Sequence, residues 1–375
     1  MGSKIKHVKK DSKKAESSNS TCTANYTTTL ENVNTSIEKS TTGNKAKKKS
    51  EKKNLPAVRN IHAENLISPI DRFSGILFGC NKKVDIQETM RKLLSGNAEI
   101  KTDAKGKLTI LASLSFDDLP EKLQVKLNDR FTRAVCDTIT SLILAKNEYI
   151  TPNNIAYCMN GYDNPDTTKE FLTQIMESVE ILRHTWVKID ASNEAKARGY
   201  DFEELKFDGI LAPIDKLRLV FMNGQEVEAY HVLREPILYK YAKAKNQVLT
   251  VDKDILKFPK IDKDEGENAK RVNLVNMTRE NIILQRYLIE RIEGMKNPNN
   301  NLGCIISYET LYEVLNAQEF SRTEKKRIRD RVKFFLDYWA DLKYIKSYHE
   351  EYEGRLIKNI FIEPYENQEN KNEKF

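Results

Sequence analysis

A run of basic residues occupies positions 321–334, in the stretch SRTEKKRIRDRVKF. It holds seven Lys or Arg residues and two acidic residues, and apolar and aromatic residues follow it. Because an α-helix turns 100° per residue, a helix here aligns four cations within about 60°. This basic row consists of Arg322, Lys326, Arg329 and Lys333. The same step predicts an apolar core stripe opposite the row, formed by Ile328, Val332, Phe335, Leu336, Trp339 and Leu342.

A row of like charges without acids destabilises an isolated helix, which favours a negatively charged ligand for this face. Phosphates and guanine edges of DNA are such ligands. Lys325 and Arg327 flank the row, and Lys346 and Arg355 belong to a predicted hairpin after the helix, so we expect all of them to contact DNA. Two other interpretations remain open, a solvated face and a surface for an acidic protein partner.

Signals for catalysis are weak along the chain. Gly106-Lys107 lacks the first Gly and the Ser or Thr of a phosphate-binding loop, and the five His residues are isolated from one another. Asp166, Glu204 and Lys206 fit a loose pattern for a magnesium nuclease, but Asp166 precedes a helix whose positive end it can stabilise. We expect no catalytic residue, no metal and no cofactor, with the nuclease as a minor alternative.

The net charge of +7 over 375 residues is unevenly distributed. Residues 1–53 contain 13 Lys and five acidic residues, while the remainder contains 49 basic and 50 acidic residues. The folded part can therefore offer nucleic acid a local basic patch but no global field. Residues 1–54 lack apolar periodicity and are predicted to be disordered, either as a solubilising leader or as an arm that tethers DNA by counterion release.

The five cysteines lie far apart and form no CxxC pair, which favours a reducing compartment over a disulfide framework or a zinc site. No apolar stretch predicts a signal peptide or a membrane span. We therefore expect a cytoplasmic protein without a membrane partner. The usage of Asn, Lys and Ile is typical of an AT-rich genome and favours a bacterial or mobile-element origin.

From residue 120 onward the apolar periodicity is regular. It predicts an amphipathic helix within 119–148, a short helix capped by Thr151, and a longer helix that starts near Thr167. Three strand-like pieces follow, FDGIL, KLRLVFMNG and QEVEAYHVL, and Asn223-Gly224 is typical of a tight hairpin turn.

The same order of elements recurs closer to the carboxyl terminus. Ser307 and Thr323 stand 156 residues after Thr151 and Thr167, respectively, and a second hairpin is predicted to turn near Gly354. The repeated order predicts a duplicated domain.

The longer helix of the first copy differs in charge from the basic helix. Opposite its core stripe lie Glu170, Thr173, Glu177 and Glu180. Such a face repels phosphate, so we expect the second copy to be the better DNA reader. The first copy is expected either to contact DNA through Lys206, Lys216 and Arg218 of its hairpin or to act as a dimerisation or scaffold module.

Helix, short helix, longer helix and hairpin is the chain order of a winged helix. The sequence thus predicts a mainly α fold with small β content (α+β), with two winged-helix domains in tandem. The predicted segments are a disordered tail (1–54), an accessory segment (55–119), a first winged helix with an enlarged hairpin (120–258), a linker (259–276), a second, DNA-reading winged helix (277–365) and a disordered carboxyl terminus (366–375).

On this element order over residues 120–365, and on RTEKKRIRD with the hairpin after it, the chain resembles the tandem winged-helix replication initiators of bacterial plasmids and related mobile elements. The resemblance implies binding of double-stranded DNA at repeated origin sites, opening of nearby AT-rich duplex, recruitment of host replication proteins, and repression of the protein's own promoter as a homodimer. It maps the basic row onto the family's DNA-reading helix. A transcriptional repressor of a phage or integrative element and a protein-interaction scaffold remain alternatives.

Overall fold

The computed structural model describes residues 65–69, 77, 86–96, 98–101, 109–163, 167–199, 203–220, 222, 224, 226–258, 276–296, 303–315, 320–354 and 356–365. Of these residues, 49% lie in helices and 29% in strands. The fold is therefore mixed, with more strand than the small β content predicted from the sequence. The predicted disordered termini, 1–54 and 366–375, lie outside the described residues, as does nearly all of the predicted linker.

The chain begins with strand β1 (Asn65–Pro69), helix α1 (Ile86–Leu94), and strands β2 (Ala98–Lys101) and β3 (Thr109–Phe116). Gly96 follows α1 with a φ of +114°, which agrees with the predicted end of a helix at this glycine. β3 is the strand expected from KLTILASLSF. It pairs with β2 and, on its other edge, with β5 (Thr185–Asp190). The predicted accessory segment, 55–119, therefore shares a sheet with a strand of the predicted first winged helix.

The predicted amphipathic helix within 119–148 is divided at Asp129. The structure forms α2 (Glu121–Gln124), a 3-10 turn over Val125–Asn128, and α3 (Arg130–Leu144). Asp129 has extended backbone angles, and its side chain accepts a hydrogen bond from the Phe131 N–H, so it caps α3.

Helix α3 is buried on every side. Each residue from Phe131 to Ile143 is buried, so the prediction of an amphipathic helix is wrong for this segment. The hydroxyl groups of α3 satisfy themselves locally, since Thr138 and Thr140 donate to backbone carbonyls four residues earlier at 2.8 Å. Thr138 and Thr140 therefore lie in the core with their hydroxyl groups bonded to the backbone of their own helix, and the spacing of such polar residues imitates a solvated face.

A first group of elements surrounds α3. It contains β4 (Tyr149–Ile150), α4 (Pro152–Met159), α5 (Lys169–Arg183), β5, α6 (Ser192–Ala197), β6 (Lys206–Ile210), β7 (Ile214–Val220) and β8 (Glu226–Val232). β7 and β8 form an antiparallel hairpin, and β4 pairs with β8. The sheet order is therefore β4-β8-β7.

The hairpin of this group differs from the prediction in two ways. FDGIL forms β6, which pairs with β5 in the sheet β2-β3-β5-β6. β5 and β6 are therefore an insertion between α5 and the hairpin β7–β8. The hairpin itself is not enlarged. Val220 pairs with Glu226, so five residues form the turn where a tight one was predicted. Gly224 does have a positive φ of +76°.

A connecting group follows with α7 (Ile237–Ala244), β9 (Val248–Asp252) and α8 (Lys253–Leu256). β9 pairs with β1, and Gly161 lies against α8 with a φ of +58°. A Cβ at Gly161 would lie 2.0 Å from the Lys253 carbonyl oxygen. Only glycine permits this close approach of two backbone segments.

The last group contains α9 (Arg279–Met295), β10 (Ile305–Ser307), α10 (Tyr308–Val314), α11 (Arg322–Asp341), β11 (Ile345–Glu353) and β12 (Leu356–Pro364). Its sheet order is β10-β12-β11. Helix, strand, helix, helix and hairpin follow one another as in the first group, and both sheets place the short strand beside the second strand of the hairpin. The two groups thus share one topology.

The helix caps fit the duplicated pattern only in part. Thr151 caps α4 and Ser307 caps α10, as predicted. The longer helices are capped by Thr168 and Ser321, where Thr167 and Thr323 were predicted. The first pair of caps is 156 residues apart and the second pair 153, because loops of unequal length precede the two longer helices.

Buried charged residues connect the two groups where α3 meets α9. Arg133 Nη1 lies 2.7 Å and Arg130 Nη1 3.1 Å from the Glu290 carboxylate. Burial, opposed by Arg133 and by a hydrogen bond from Ser68, raises the pKa of Asp137 to about 6. Burial also lowers the pKa of Arg286 to about 10, and its guanidinium nitrogens lack a hydrogen-bond partner within the described residues.

Candidate nucleic-acid interface

The basic helix α11 starts with a complete capping box. The Ser321 side chain accepts from the Glu324 N–H at 3.3 Å, and the Ser321 N–H donates to the Glu324 carboxylate at 2.8 Å. Hydrogen bonds from the Ser321 side chain and backbone hold the pKa of Glu324 below its usual value. Glu324, the acidic residue among the first basic residues of α11, thus stabilises the start of the helix.

One face of α11 is fixed in the core. Ile328, Val332, Phe335, Leu336 and Trp339 are buried as predicted. Leu342 is 40% exposed because the helix ends there, so its assignment to the stripe is wrong. The Trp339 indole N–H donates to the Ile255 carbonyl at 3.0 Å, which attaches the helix to the connecting group.

The basic row lies beside the stripe, and the prediction that it lies opposite is wrong. At 100° per residue the centre of the row is about 110° from the centre of the stripe. The row therefore faces solvent at its amino-terminal end and neighbouring elements at its carboxyl-terminal end.

Three cations of the first turns are exposed. Arg322, Lys326 and Arg327 project from α11, and no carboxylate of the described residues forms an ion pair with any of them. Lys325 is half-buried, with Nζ 5.4 Å from the centre of the Tyr312 ring. Arg329 is half-buried and also lies beside Tyr312. Burial raises the pKa of Tyr312, and the positive charge of Arg329 opposes that rise.

Lys333 serves a different purpose from the first part of the row. Its Nζ lies 2.8 Å from the Glu350 carboxylate on β11, whose side chain is 6% exposed. Burial pushes the pKa of Glu350 upward, and hydrogen bonds from Lys333 and from the Tyr308 hydroxyl outweigh it, so the pKa lies below its usual value. Lys333 therefore attaches the hairpin to the helix.

The hairpin cations are also engaged. Lys346 Nζ lies 3.3 Å from Glu363, and Lys358 Nζ lies 2.5 Å from Glu353. Arg355, predicted to contact DNA, lies outside the described residues. The sides of this hairpin thus offer no unpaired lysine to a phosphate within the part that the structure describes.

The acidic face of α5 is largely compensated. Glu177 pairs with Lys126 at 2.8 Å, and Glu180 pairs with Lys216 at 3.1 Å. Lys216 also contacts Glu228, and Arg218 pairs with Glu226 across the first hairpin. The hairpin cations predicted to reach DNA in this group are thus occupied.

Lys206, the third of the predicted first-hairpin cations, belongs to β6 and pairs with Glu204 at 2.9 Å. Its assignment to the hairpin is wrong, because β6 belongs to the other sheet. Asp166 of the loose nuclease pattern lies outside the described residues. Among the described residues, no group of three or more His, Cys, Asp or Glu side chains is placed to hold a metal ion.

Within the described ranges, no helix combines the length and apolar character needed to cross a membrane.

Two solved structures resemble this fold. One is the selenomethionine derivative of domains 2 and 3 of RctB, with a TM-score of 0.34, 11% identity, and coverage of 72% of this chain and 91% of that one. The other, RctB residues 155–483, has a TM-score of 0.33 with the same identity and coverage.

No protein-family model and no curated protein matches the sequence.

Proposed function

We propose that this chain binds double-stranded DNA through the first two turns of α11. The observation that carries the proposal is the exposure of Arg322, Lys326 and Arg327 on a helix whose other face is anchored in the core. Exposed cations that form no ion pair with a carboxylate of the described residues release counterions when they meet phosphates. A rigid helix that holds them at fixed spacing suits the major groove, which admits an α-helix.

The topology supports a winged-helix assignment for both groups. In such a domain the last helix before the hairpin enters the major groove, and the hairpin lies beside the adjacent backbone. α11 and β11–β12 occupy these positions in the second domain, and α5 and β7–β8 occupy them in the first. The ion pairs on α5 and its hairpin make the first domain a scaffold in this proposal.

In finer terms, the proposed function is sequence-specific binding at repeated origin sites that initiates replication of a plasmid or mobile element. This finer proposal is supported by the element order and the basic helix. Exposed Arg322 and Arg327 at the amino-terminal end of α11 are the candidates for base contacts. Lys326 is the candidate for a phosphate contact.

Fluorescence anisotropy with duplexes from the DNA around the gene tests the first level of the proposal. We expect random duplex to compete much less well than one of these fragments. An Arg322→Ala variant should lose about 1–3 kcal/mol of binding free energy on the specific duplex and far less on random duplex. Equal competition by random duplex would refute sequence-specific binding.

A plasmid that carries only this gene and its flanking DNA tests the second level. Replication in a permissive host is the expected result. A protein that binds these duplexes but does not support replication would be a repressor, and the initiator proposal would then be wrong.

A further inference from the structure

Two cations of α11 lie against α10, the helix that precedes it. Lys325 and Arg329 are half-buried and four residues apart, so they lie on the same side of α11. Lys325 Nζ lies 5.4 Å from the centre of the Tyr312 ring on α10, and Arg329 lies beside the same residue. No carboxylate of the described residues forms an ion pair with either cation. Glu350, an acid whose pKa the charge of Arg329 lowers, is itself paired with Lys333.

Aromatic contacts hold the Tyr312 ring in place. Its centre lies 6.2 Å from the Tyr308 ring, which stacks on it, and 6.3 Å from the Phe320 ring, which meets it edge-on. Tyr308 is in turn fixed by its hydroxyl, which donates to Glu350 at 2.7 Å. The two cations therefore lie beside a ring that is held on two sides.

The Tyr312 hydroxyl differs from the neighbouring tyrosine hydroxyls of this group. Those of Tyr308, Tyr344 and Tyr348 donate to carboxylates at 2.7, 2.6 and 2.6 Å, respectively. The Tyr312 hydroxyl donates to no acceptor among the described residues. Burial raises its pKa, so it keeps its proton at neutral pH. The corner between α10 and α11 thus combines one available donor with two cations.

The first copy shows that this topology does not require such a corner. Counted from the helix caps, the corresponding residues of α4 and α5 are apolar: Ala156, Leu172 and Met176. Ala156 is buried, and Leu172 packs against the core. The same two helices can therefore meet through apolar side chains, which leaves the charges of the second copy without a structural reason.

A phosphate group suits this corner. It supplies the negative charge that the two cations lack and oxygen atoms that accept from a hydroxyl, and DNA phosphates accept hydrogen bonds from Arg, Lys and Tyr side chains. At 100° per residue, Lys325 and Arg329 lie next to Arg322 and Lys326 around α11, on the side toward α10. In helix-turn-helix proteins the helix before the groove-binding helix crosses the DNA backbone. A duplex that receives α11 in its groove thus brings phosphates to α10.

We infer that Tyr312, Lys325 and Arg329 form a binding site for one phosphate of the DNA backbone. The inference rests on the proposed DNA-binding function and deepens it. The Tyr312 hydroxyl donates to a phosphate oxygen, and the two cations neutralise the phosphate charge. This contact fixes how α11 lies in the groove and carries no sequence information of its own.

The test uses the full chain and a duplex that the wild-type protein selects from a random library. Each phosphate is replaced in turn by a neutral methylphosphonate, and affinity is measured by anisotropy. Tyr312→Phe should bind the unmodified duplex about tenfold more weakly, because one hydrogen bond to a charged group is lost. On a duplex with one particular methylphosphonate, Tyr312→Phe and the wild type should bind equally well. At the other phosphates the tenfold difference should remain.

Two readouts separate the members of the site. Lys325→Ala should make the slope of log K against log salt less steep by about 0.9, and Tyr312→Phe should leave that slope unchanged, because it removes no charge. The thermal unfolding of Tyr312→Phe should match that of the wild type, since the hydroxyl donates to no described acceptor.

α7 offers a matched control. Lys243 Nζ lies 5.8 Å from the centre of the Tyr239 ring, so this pair repeats the arrangement of Lys325 and Tyr312 on another helix. Tyr239→Phe and Lys243→Ala should leave DNA affinity and the salt slope unchanged.

Wild-type affinity of Tyr312→Phe for the selected duplex would overturn the phosphate site and leave the proposed function standing. A tenfold loss that persists on every methylphosphonate duplex would also overturn it, because the hydroxyl would then act on something other than a phosphate. Failure of the wild type to select any duplex would remove the proposed function itself.

Discussion

Lys326 and Lys333 belong to the same predicted row, and the structure gives them different tasks. Lys326 is exposed on α11 without an acidic partner among the described residues, and Lys333 is paired with Glu350. We therefore expect Lys326→Ala to change DNA binding and Lys333→Ala to change stability.

The magnitude for Lys326 follows from counterion release. Each phosphate contact contributes about −0.9 to the slope of log K against log salt. Loss of one contact should reduce the steepness of the slope by about that amount, so the affinity deficit of the variant shrinks about 3.5-fold between 50 and 200 mM salt. Its unfolding midpoint should not change. Lys122→Ala, an exposed lysine on α2, is the matched control and should leave the slope unchanged.

The magnitude for Lys333 follows from burial of its partner. Without Lys333 the Glu350 carboxylate is nearly buried, and its remaining hydrogen-bond donors among the described residues are the Tyr308 hydroxyl at 2.7 Å and the Tyr352 hydroxyl at 3.5 Å. Breaking a buried ion pair costs about 3–5 kcal/mol. We expect the lower end, about 3 kcal/mol, because Lys333 itself is partly exposed. The double variant Lys333→Ala, Glu350→Gln should recover most of this loss.

Urea unfolding of the wild type and the four variants measures stability, and salt-dependent anisotropy of the same proteins measures the salt slope of DNA binding. A Lys333→Ala protein of wild-type stability whose salt slope falls by about 0.9 would refute the assignment, because Lys333 would then leave Glu350 and meet phosphate. An unchanged slope for Lys326→Ala would show that the exposed end of α11 does not contact DNA.

Three further predictions concern helix ends, buried charge and backbone contacts. Ser321→Ala should lower the free energy of unfolding by about 1 kcal/mol and weaken DNA binding, because the capping box holds the turn that carries Arg322. Thr168→Ala, which removes the cap of α5, should cost as much stability and leave DNA affinity unchanged. The folded pKa of Asp137, about 6, exceeds the value near 4 of an unfolded aspartate, so the folded state binds the proton more tightly. Wild-type stability should therefore fall by about 2 kcal/mol as pH rises from 4 to 6. Urea titrations of Asp137→Asn should lack this component, and an identical pH profile would contradict it. Gly161→Ala should lower the free energy of unfolding, measured by heat or urea, by more than about 3 kcal/mol, because its Cβ would overlap the Lys253 carbonyl. Gly224→Ala is the control: Gly224 has a positive φ but open space around it, so the loss should be about 1 kcal/mol.

Features decided by neighbours in sequence were predictable. The caps Thr151 and Ser307, the end of a helix at Gly96, the turn at Gly354 and the core stripe of α11 all depend on residues within one or two turns. Local propensity and periodicity carry enough information for such features.

Features decided by distant partners were not predictable. Nothing near Lys333 in sequence indicates that Glu350 will neutralise it, and Lys216 meets Glu180 only because the hairpin folds back on α5. Helix α3 imitates an amphipathic helix, although Thr138 and Thr140 lie in the core with their hydroxyl groups bonded to the backbone of their own helix.

The burial of α3 has a consequence for synthesis of the protein on the ribosome. Residues of α3 contact α9 across about 160 positions of sequence, as Arg130 does with Glu290. At about 5–20 residues per second, α3 waits roughly 8–30 s for that partner to be translated. During this interval the side of α3 that carries Arg130 and Arg133 lacks its partner on α9.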